Sequence, residues 1–185
     1  PKFVEPMLDY IVHDFENARI AMNDNSIGGM VVCDSSEQAK MMYEIFESKY
    51  AEPAALAMAA EPVKSYNAKQ KENSKVTTAA LILHDIGDKD ERKDLVEEFK
   101  AGKIDFLFVY NMLLTGFDSP RLKKLYIGRV IKAHNLLQTL TRVNRTYKDF
   151  RYGYVVDFAD IQKEFDKTNR AYFAELQSEL GDEME

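Results

Sequence analysis

The sequence of 185 residues holds a single cysteine, Cys33, which rules out an internal disulfide and a cysteine-rich zinc site and fits a reducing compartment. No apolar run approaches the roughly 18 to 20 residues of a membrane span. The opening, PKFVEPMLDY, has no basic stretch followed by an apolar one, so it does not read as a signal peptide. A cytoplasmic protein with no membrane partner is the expectation. The chain begins at Pro1, not Met, and reads as a piece of a longer one. The phosphate-cradling loop G-x-x-x-x-G-K-[ST] is missing, because the only Gly-Lys pair, Gly102-Lys103, lacks both the earlier glycine and the Ser/Thr. An acidic magnesium-binding box after a strand is missing too, since DEME at 182–185 follows no strand. The three histidines, His13, His84 and His134, show no ligand spacing, so no metal site is expected. There are no internal repeats and no low-complexity tract.

What is present describes a globular protein. The chain is 45% hydrophobic and 30% charged, enough apolar material for one domain with a real core. The net charge is −6, which argues against an anionic partner until its distribution is considered. From Arg121 to Arg151 there are nine basic residues against one acid, and from Asp157 onward nine acids against three bases. The tail thus accounts for the whole imbalance, and the stretch before it is locally basic, as a face for an anionic partner would be.

Residues 3–20 read as an amphipathic helix. Short, continuous apolar runs follow at 28–33, 77–83, 103–111, 123–129 and 152–160, with helical patterns at 37–50, 90–102, 134–145 and 161–180. Residues 51–77 read as an excursion with a short helix. Strands alternate with helices, and the strands read as short apolar runs. That pattern predicts an α/β fold with a parallel sheet covered by helices on both faces. In such sheets ligands meet the loops at the carboxyl ends of the strands. Those loops are the DSS stretch after the first strand, HDIGD after the second, LLTGFDSP after the third, and the entry to the helix at 134–145. The expected organisation is an N-terminal helix over 1–27, the sheet domain over 28–158, and a C-terminal helix with an acidic tail over 159–185.

Two segments carry candidate chemistry. In LLTGFDSP, Gly116 permits an unusual backbone turn, while Thr115 and Asp118 offer a hydroxyl and a carboxylate. In HNLLQTLTRVNR (134–145), Leu136, Leu137, Leu140 and Val143 fall on one side of a helix. Gln138, Arg142 and Arg145 fall on the other at i, i+4 and i+7, with no acid among them. Taken alone, such a face is more often merely solvated.

Together and in this order, these segments resemble motifs V (LLTGFDSP) and VI (QTLTRVNR) of superfamily 2 helicases and translocases, with Thr141 where motif VI usually has glycine. GGMVVCDSSEQA (28–39) is similar to motif IV. The run from Leu113 to Tyr147 resembles most closely the restriction subunit of type I restriction enzymes, and the likeness extends over about residues 29–158. The resemblance implies the second of two RecA-like domains that clamp ATP between them, the first holding the phosphate loop and the Mg2+ ligands. Arg145 would then be an arginine finger with Arg142 its companion, while Gln138, Gly116 and Asp118 would stand at the nucleotide. Ser35, Ser36, His84 and Thr115 would face DNA phosphates. The implied partners are double-stranded DNA, the first RecA-like domain, and methyltransferase and specificity subunits. Alternatives are another superfamily 2 motor (a type III restriction subunit or a repair helicase), a flavodoxin-like ligand-binding domain, and an interaction module using the arginine face.

Overall fold

The computed structural model describes residues 4–51, 74–113, 117–128, 147–148, 153–157 and 170. The first helix, α1 (Val4–Met22), buries Leu8, Ile11, Val12, Phe15 and Arg19 along one stripe. Pro6 sits in its first turn, where the amide has no intrahelical partner to lose. Strand β1 (Gly28–Val32) follows and is buried along its whole length. Helix α2 (Ser36–Lys49) is capped by the Ser35 hydroxyl, which accepts the Gln38 amide. After β2 (Ala79–Ile82), helix α3 (Lys89–Lys100) opens on a reciprocal capping box between Asp88 and Glu91. It ends just before Gly102, whose φ of +85° is the left-handed conformation that stops helices. Strands β3 (Phe106–Val109), β4 (Leu122–Ile127) and β5 (Tyr154–Asp157) complete the described elements.

All strand pairs are parallel, in the order β2-β3-β1-β4-β5. The central strand, β1, is flanked by β3 and β4. Its first two glycines let aromatic rings lie against the backbone: a Cβ on Gly28 would stand 2.6 Å from the Phe99 ring, and one on Gly29 would stand 2.4 Å from the Phe106 ring. The sheet divides two cores. On one face α1 and α2 pack over Val31, Phe106, Phe108 and Tyr126. On the other, α3 packs Phe99 with Met30, Val32, Leu107, Val109, Leu125 and Ile127. The register shifts between Gly28, opposite Leu122, and Gly29, opposite Lys124. Lys123 is the extra residue of this bulge, and the bulge turns Lys124 to the α1 face.

The α/β sandwich expected from the sequence is therefore observed, with helices on both faces; β1, β2, β3 and β5 lie inside their predicted runs, and β4 begins one residue before its own, at Leu122. The helices expected at 134–145 and 161–180 lie outside the described residues, apart from Arg170, which is helical. Among the described residues, no helix is long and apolar enough to cross a membrane.

One expectation is corrected. The basic stretch reads as a surface, but three of its four described members are held within the molecule, Lys148 alone being exposed. Arg121, Lys123 and Lys124 are buried. Arg121 donates to the carbonyls of Ser26, Phe99 and Ile104 at 2.6–2.9 Å and stacks over the Phe99 ring. Burial pushes its guanidinium, and the Lys123 ammonium, below their ordinary values. Lys124 pairs with Asp14 at 2.8 Å. Local charge counting cannot tell a solvated cation from one that satisfies main-chain carbonyls or a neighbouring carboxylate inside the fold.

Candidate functional site

In this strand order β1 connects leftward, past β3, to β2, while β4 connects rightward to β5. Chains leaving two adjacent strands in opposite directions leave a crevice at the strands' carboxyl ends. Cys33, Asp34, Ser35 and Ser36 stand on its β1 side and Gly128 on its β4 side. The Gly128 amide joins the two sides by donating to Val32 O at 2.8 Å, and the Cys33 amide ties β1 to β3 on the other flank by donating to Val109 O at 2.8 Å. A Cβ on Gly128 would lie 3.2 Å from Val32 O, so a larger residue would push the strand ends apart.

Ser35 is the N-cap of α2, its hydroxyl accepting from Gln38 N at 3.1 Å and donating to Asp34 at 2.8 Å. Gln38 answers by accepting the Asp34 amide at 2.9 Å. These bonds fix the loop, and the N-terminus of α2 stands at the carboxyl end of β1, a helix end of the kind that suits an anion. Asp34 and Glu37 oppose that field, being carboxylates at the same helix end. Ser36, the first residue of α2, is half-buried. Ser35→Ala should lower stability by about 1 kcal/mol, and Ser35→Asp should restore it. Urea unfolding with an unchanged m-value checks this. An unaltered midpoint for the alanine variant would show that the cap contributes nothing.

His84 is exposed on the loop after β2. Two strand spacings, roughly 10 Å, separate that loop from the β1 loop, and Lys40 of α2 spans the gap by pairing with Asp85 at 2.8 Å. Arg92 fixes the same loop from α3, donating to the carbonyls of Ile86 and Gly87 at 3.1 and 2.7 Å. Sequence reading missed Gln38, Lys40 and Arg92. The spacing Ser35-x-x-Gln38 was the available signal for the first, since it is the pattern of a capping box. Cys33, beside this site, is buried. Burial, with Asp34 adding to it, pushes its thiol up to about 12, so it is no nucleophile.

Asp118 lies elsewhere. The chain leaves β3 at its carboxyl end, but β4 is parallel, so the LLTGFDSP segment must cross to the amino end before β4 begins. Ser119 O accepts the Leu122 amide at 3.0 Å, and Leu122 is opposite the first residue of β1. Phe117 packs on Phe99, ring centres 6.0 Å apart. Asp118, exposed between two buried neighbours, thus stands at the amino end of the sheet, not in the row of carboxyl-end loops where the sequence placed its whole segment. The chain just beyond the arginine segment returns to the same end: Tyr147 meets Ser26, which precedes β1, at 2.8 Å. Thr115, Gly116, Gln138, Arg142 and Arg145 lie outside the described residues. The site residues that are described thus fall in two groups, Ser35, Ser36 and His84 at the carboxyl edge and Asp118 at the amino edge.

Among solved structures, the sheet and its helices match the Pyrococcus furiosus Hef helicase domain with a TM-score of 0.54 at 13% identity, over 92% of this chain and 28% of that one. They match the Mss116p DEAD-box helicase domain 2 bound to an RNA duplex with a TM-score of 0.53 at 14% identity, over 84% of this chain and 50% of that one. Identities this low establish the fold alone, and it is that of the RecA-like domains of helicases. The sequence is more specific. Residues 54–160 match the family model of type I restriction enzyme subunit R domain 3, and the chain belongs to that family. The type I restriction enzyme SauCOLORF180P endonuclease subunit of Staphylococcus aureus (strain COL) is 34% identical over 111 residues, 60% of this chain. The chain spans 11% of the length of that relative.

Proposed function

We propose that this domain is the second motor domain of an ATP-dependent DNA translocase within a type I restriction endonuclease, with 28–158 as its RecA-like body. The observation that carries the reading is the two-ended arrangement, found in a member of the type I subunit R family. Ser36 and His84 offer a hydroxyl and an imidazole at the carboxyl edge, beside the α2 N-terminus that Ser35 caps, a set suited to DNA phosphates. Asp118 and the anchored end of the arginine segment stand at the amino edge. A translocase needs its nucleotide and its track held apart on one rigid body.

In this reading Thr115 joins the phosphate contacts. Gln138, Gly116 and Asp118 orient the nucleotide and the arginines, and Arg142 and Arg145 meet the γ-phosphate. A guanidinium is planar, permanently charged and forked, so it can take the charge that develops on a transferring phosphoryl group. The finger would enter a site built mainly by a first RecA-like domain, which explains an arginine face without local acids. Mg2+ belongs to the same reaction. Its ligands would lie mostly on the first RecA-like domain. Double-stranded DNA and the methyltransferase and specificity subunits would be the partners of the whole enzyme, working in the cytoplasm. The family match favours this assignment over other superfamily 2 motors.

Alone, the chain should not hydrolyse ATP, and its nucleotide affinity should be weaker than about millimolar. Its DNA binding should be weak, should fall steeply with salt and should ignore sequence. Magnesium-dependent turnover that stays with the purified chain through several columns, or a strong preference for one duplex sequence, would overturn the assignment.

A further inference from the structure

Ser26 lies two residues before β1 and belongs to none of the helicase-like motifs. Its carbonyl accepts Arg121 Nε at 2.9 Å. Its hydroxyl donates to Asp24 Oδ1 at 2.5 Å, accepts from Lys148 Nζ at 2.9 Å, and meets the Tyr147 hydroxyl at 2.8 Å. With its one proton given to Asp24, the Ser26 oxygen can only accept from Tyr147, so both of its lone pairs are used. Asp24 completes the cluster: its Oδ1 accepts the Ser26 amide at 2.8 Å and its Oδ2 pairs with Lys148 at 3.1 Å. Lys148 has a φ of +51°, a left-handed backbone that a lysine adopts only when its surroundings impose it.

The partners of this turn are the ends of both candidate motifs. Arg121 is three residues after Asp118, and Tyr147 is two residues after Arg145. Two residues span at most about 7 Å of chain, so the anchor at Tyr147 restricts where the Arg145 guanidinium can reach. We propose that the Asp24–Ser26 turn, acting through Tyr147 and Lys148, is the positioning element that sets Arg145 for phosphoryl transfer and ties it to the segment carrying Asp118. The proposal rests on the reading of Arg145 as a finger. Ser26, Tyr147 and Lys148 touch no substrate; they act through the arginine.

The test uses a full-length restriction subunit carrying this domain, assembled with its partner subunits on DNA. Displacing a catalytic group by about 1 Å costs on the order of 100-fold, so Ser26→Ala should lower kcat for ATP about 10- to 100-fold. KM and duplex affinity should stay within about twofold of wild type on the same argument. Tyr147→Phe, which removes a single hydroxyl and keeps the ring, guards against misfolding and should lower kcat in the same direction. In an Arg145→Ala background Ser26→Ala should cause no further loss, because a positioning residue has nothing left to position. Folded Ser26→Ala and Tyr147→Phe enzymes with wild-type kcat would overturn the proposal, as would losses that multiply with Arg145→Ala. Normal turnover by Arg145→Ala alone is a separate outcome, and would refute the finger reading on which the proposal stands.

Discussion

Arg145→Lys in the full-length subunit should fail nearly as badly as Arg145→Ala, with ATP turnover down on the order of 1,000-fold by analogy with other arginine fingers. That factor corresponds to about 4 kcal/mol of transition-state stabilisation. An ammonium keeps the charge but cannot place two donors in one plane against the oxygens of a phosphoryl group. If charge alone mattered, the lysine variant would retain most of the activity. Duplex affinity should survive both changes, because this arginine faces the nucleotide in the proposed arrangement and the phosphate donors lie at the other edge of the sheet. The competing view is a solvated helix face. It expects stability within about 0.5 kcal/mol of wild type and normal activity. A folded Arg145→Ala enzyme that translocates at the normal rate would establish that view and remove the finger.

The layered architecture was legible because periodicity reports it directly. β1 and β3 are continuous apolar runs, buried along their length, and a parallel sheet covered on both faces needs that; β4 is buried throughout although Lys123 and Lys124 interrupt its run. The order of the strands was not legible. Pairing β1 between β3 and β4 depends on crossovers that sequence spacing does not encode. Ser35 as a helix cap was readable from its place before an amphipathic run. The separation of Asp118 from the carboxyl-edge loops was not, because a segment's two ends look alike in a string but lie on opposite edges of a parallel sheet. Arg121, Lys123 and Lys124 were misread because counting charge in a string takes no account of burial, and Arg19, of which no expectation was formed, shows what decides such cases. Arg19 continues the apolar stripe of α1, so its position announced a core residue while its charge suggested solvent. Position decided the outcome, since main-chain carbonyls and one carboxylate were waiting for it. The contact between Ser26 and Tyr147 spans 121 residues and leaves no local trace.

Asp105→Ala should be among the most destabilising single changes in this fold, at about 3 to 5 kcal/mol. The Arg19 side chain is 2% exposed and that of Asp105 14%, and the two meet at 2.6 Å. The other hydrogen bonds of the guanidinium go to carbonyls, those of Ile27 at 3.0 Å and Lys75 at 3.2 Å. The second carboxylate oxygen accepts the Thr77 and Thr78 amides and the Thr78 hydroxyl at 3.0–3.2 Å. One side chain thus joins α1, the start of β2 and the start of β3, and its own carbonyl takes the Gly29 amide of β1 at 3.0 Å. Removing it strands a buried cation and unsatisfied amides, and both must then be desolvated without compensation. A domain of this size is stable by about 5 to 15 kcal/mol, so the variant would sit near its unfolding threshold. Asp105→Asn keeps the shape but loses the charge, and should fall between alanine and wild type. Pairing Asp105→Ala with Arg19→Leu should cost less than the two changes added, because the second removes the charge that the first left unpaired. Denaturant unfolding of the four proteins measures the coupling. Additive costs would mean that Arg19 and Asp105 stabilise the amino edge independently. A mild Asp105→Ala variant, within about 1 kcal/mol of wild type, would mean that the edge carrying Ser26, Arg121 and Asp118 is held by packing alone.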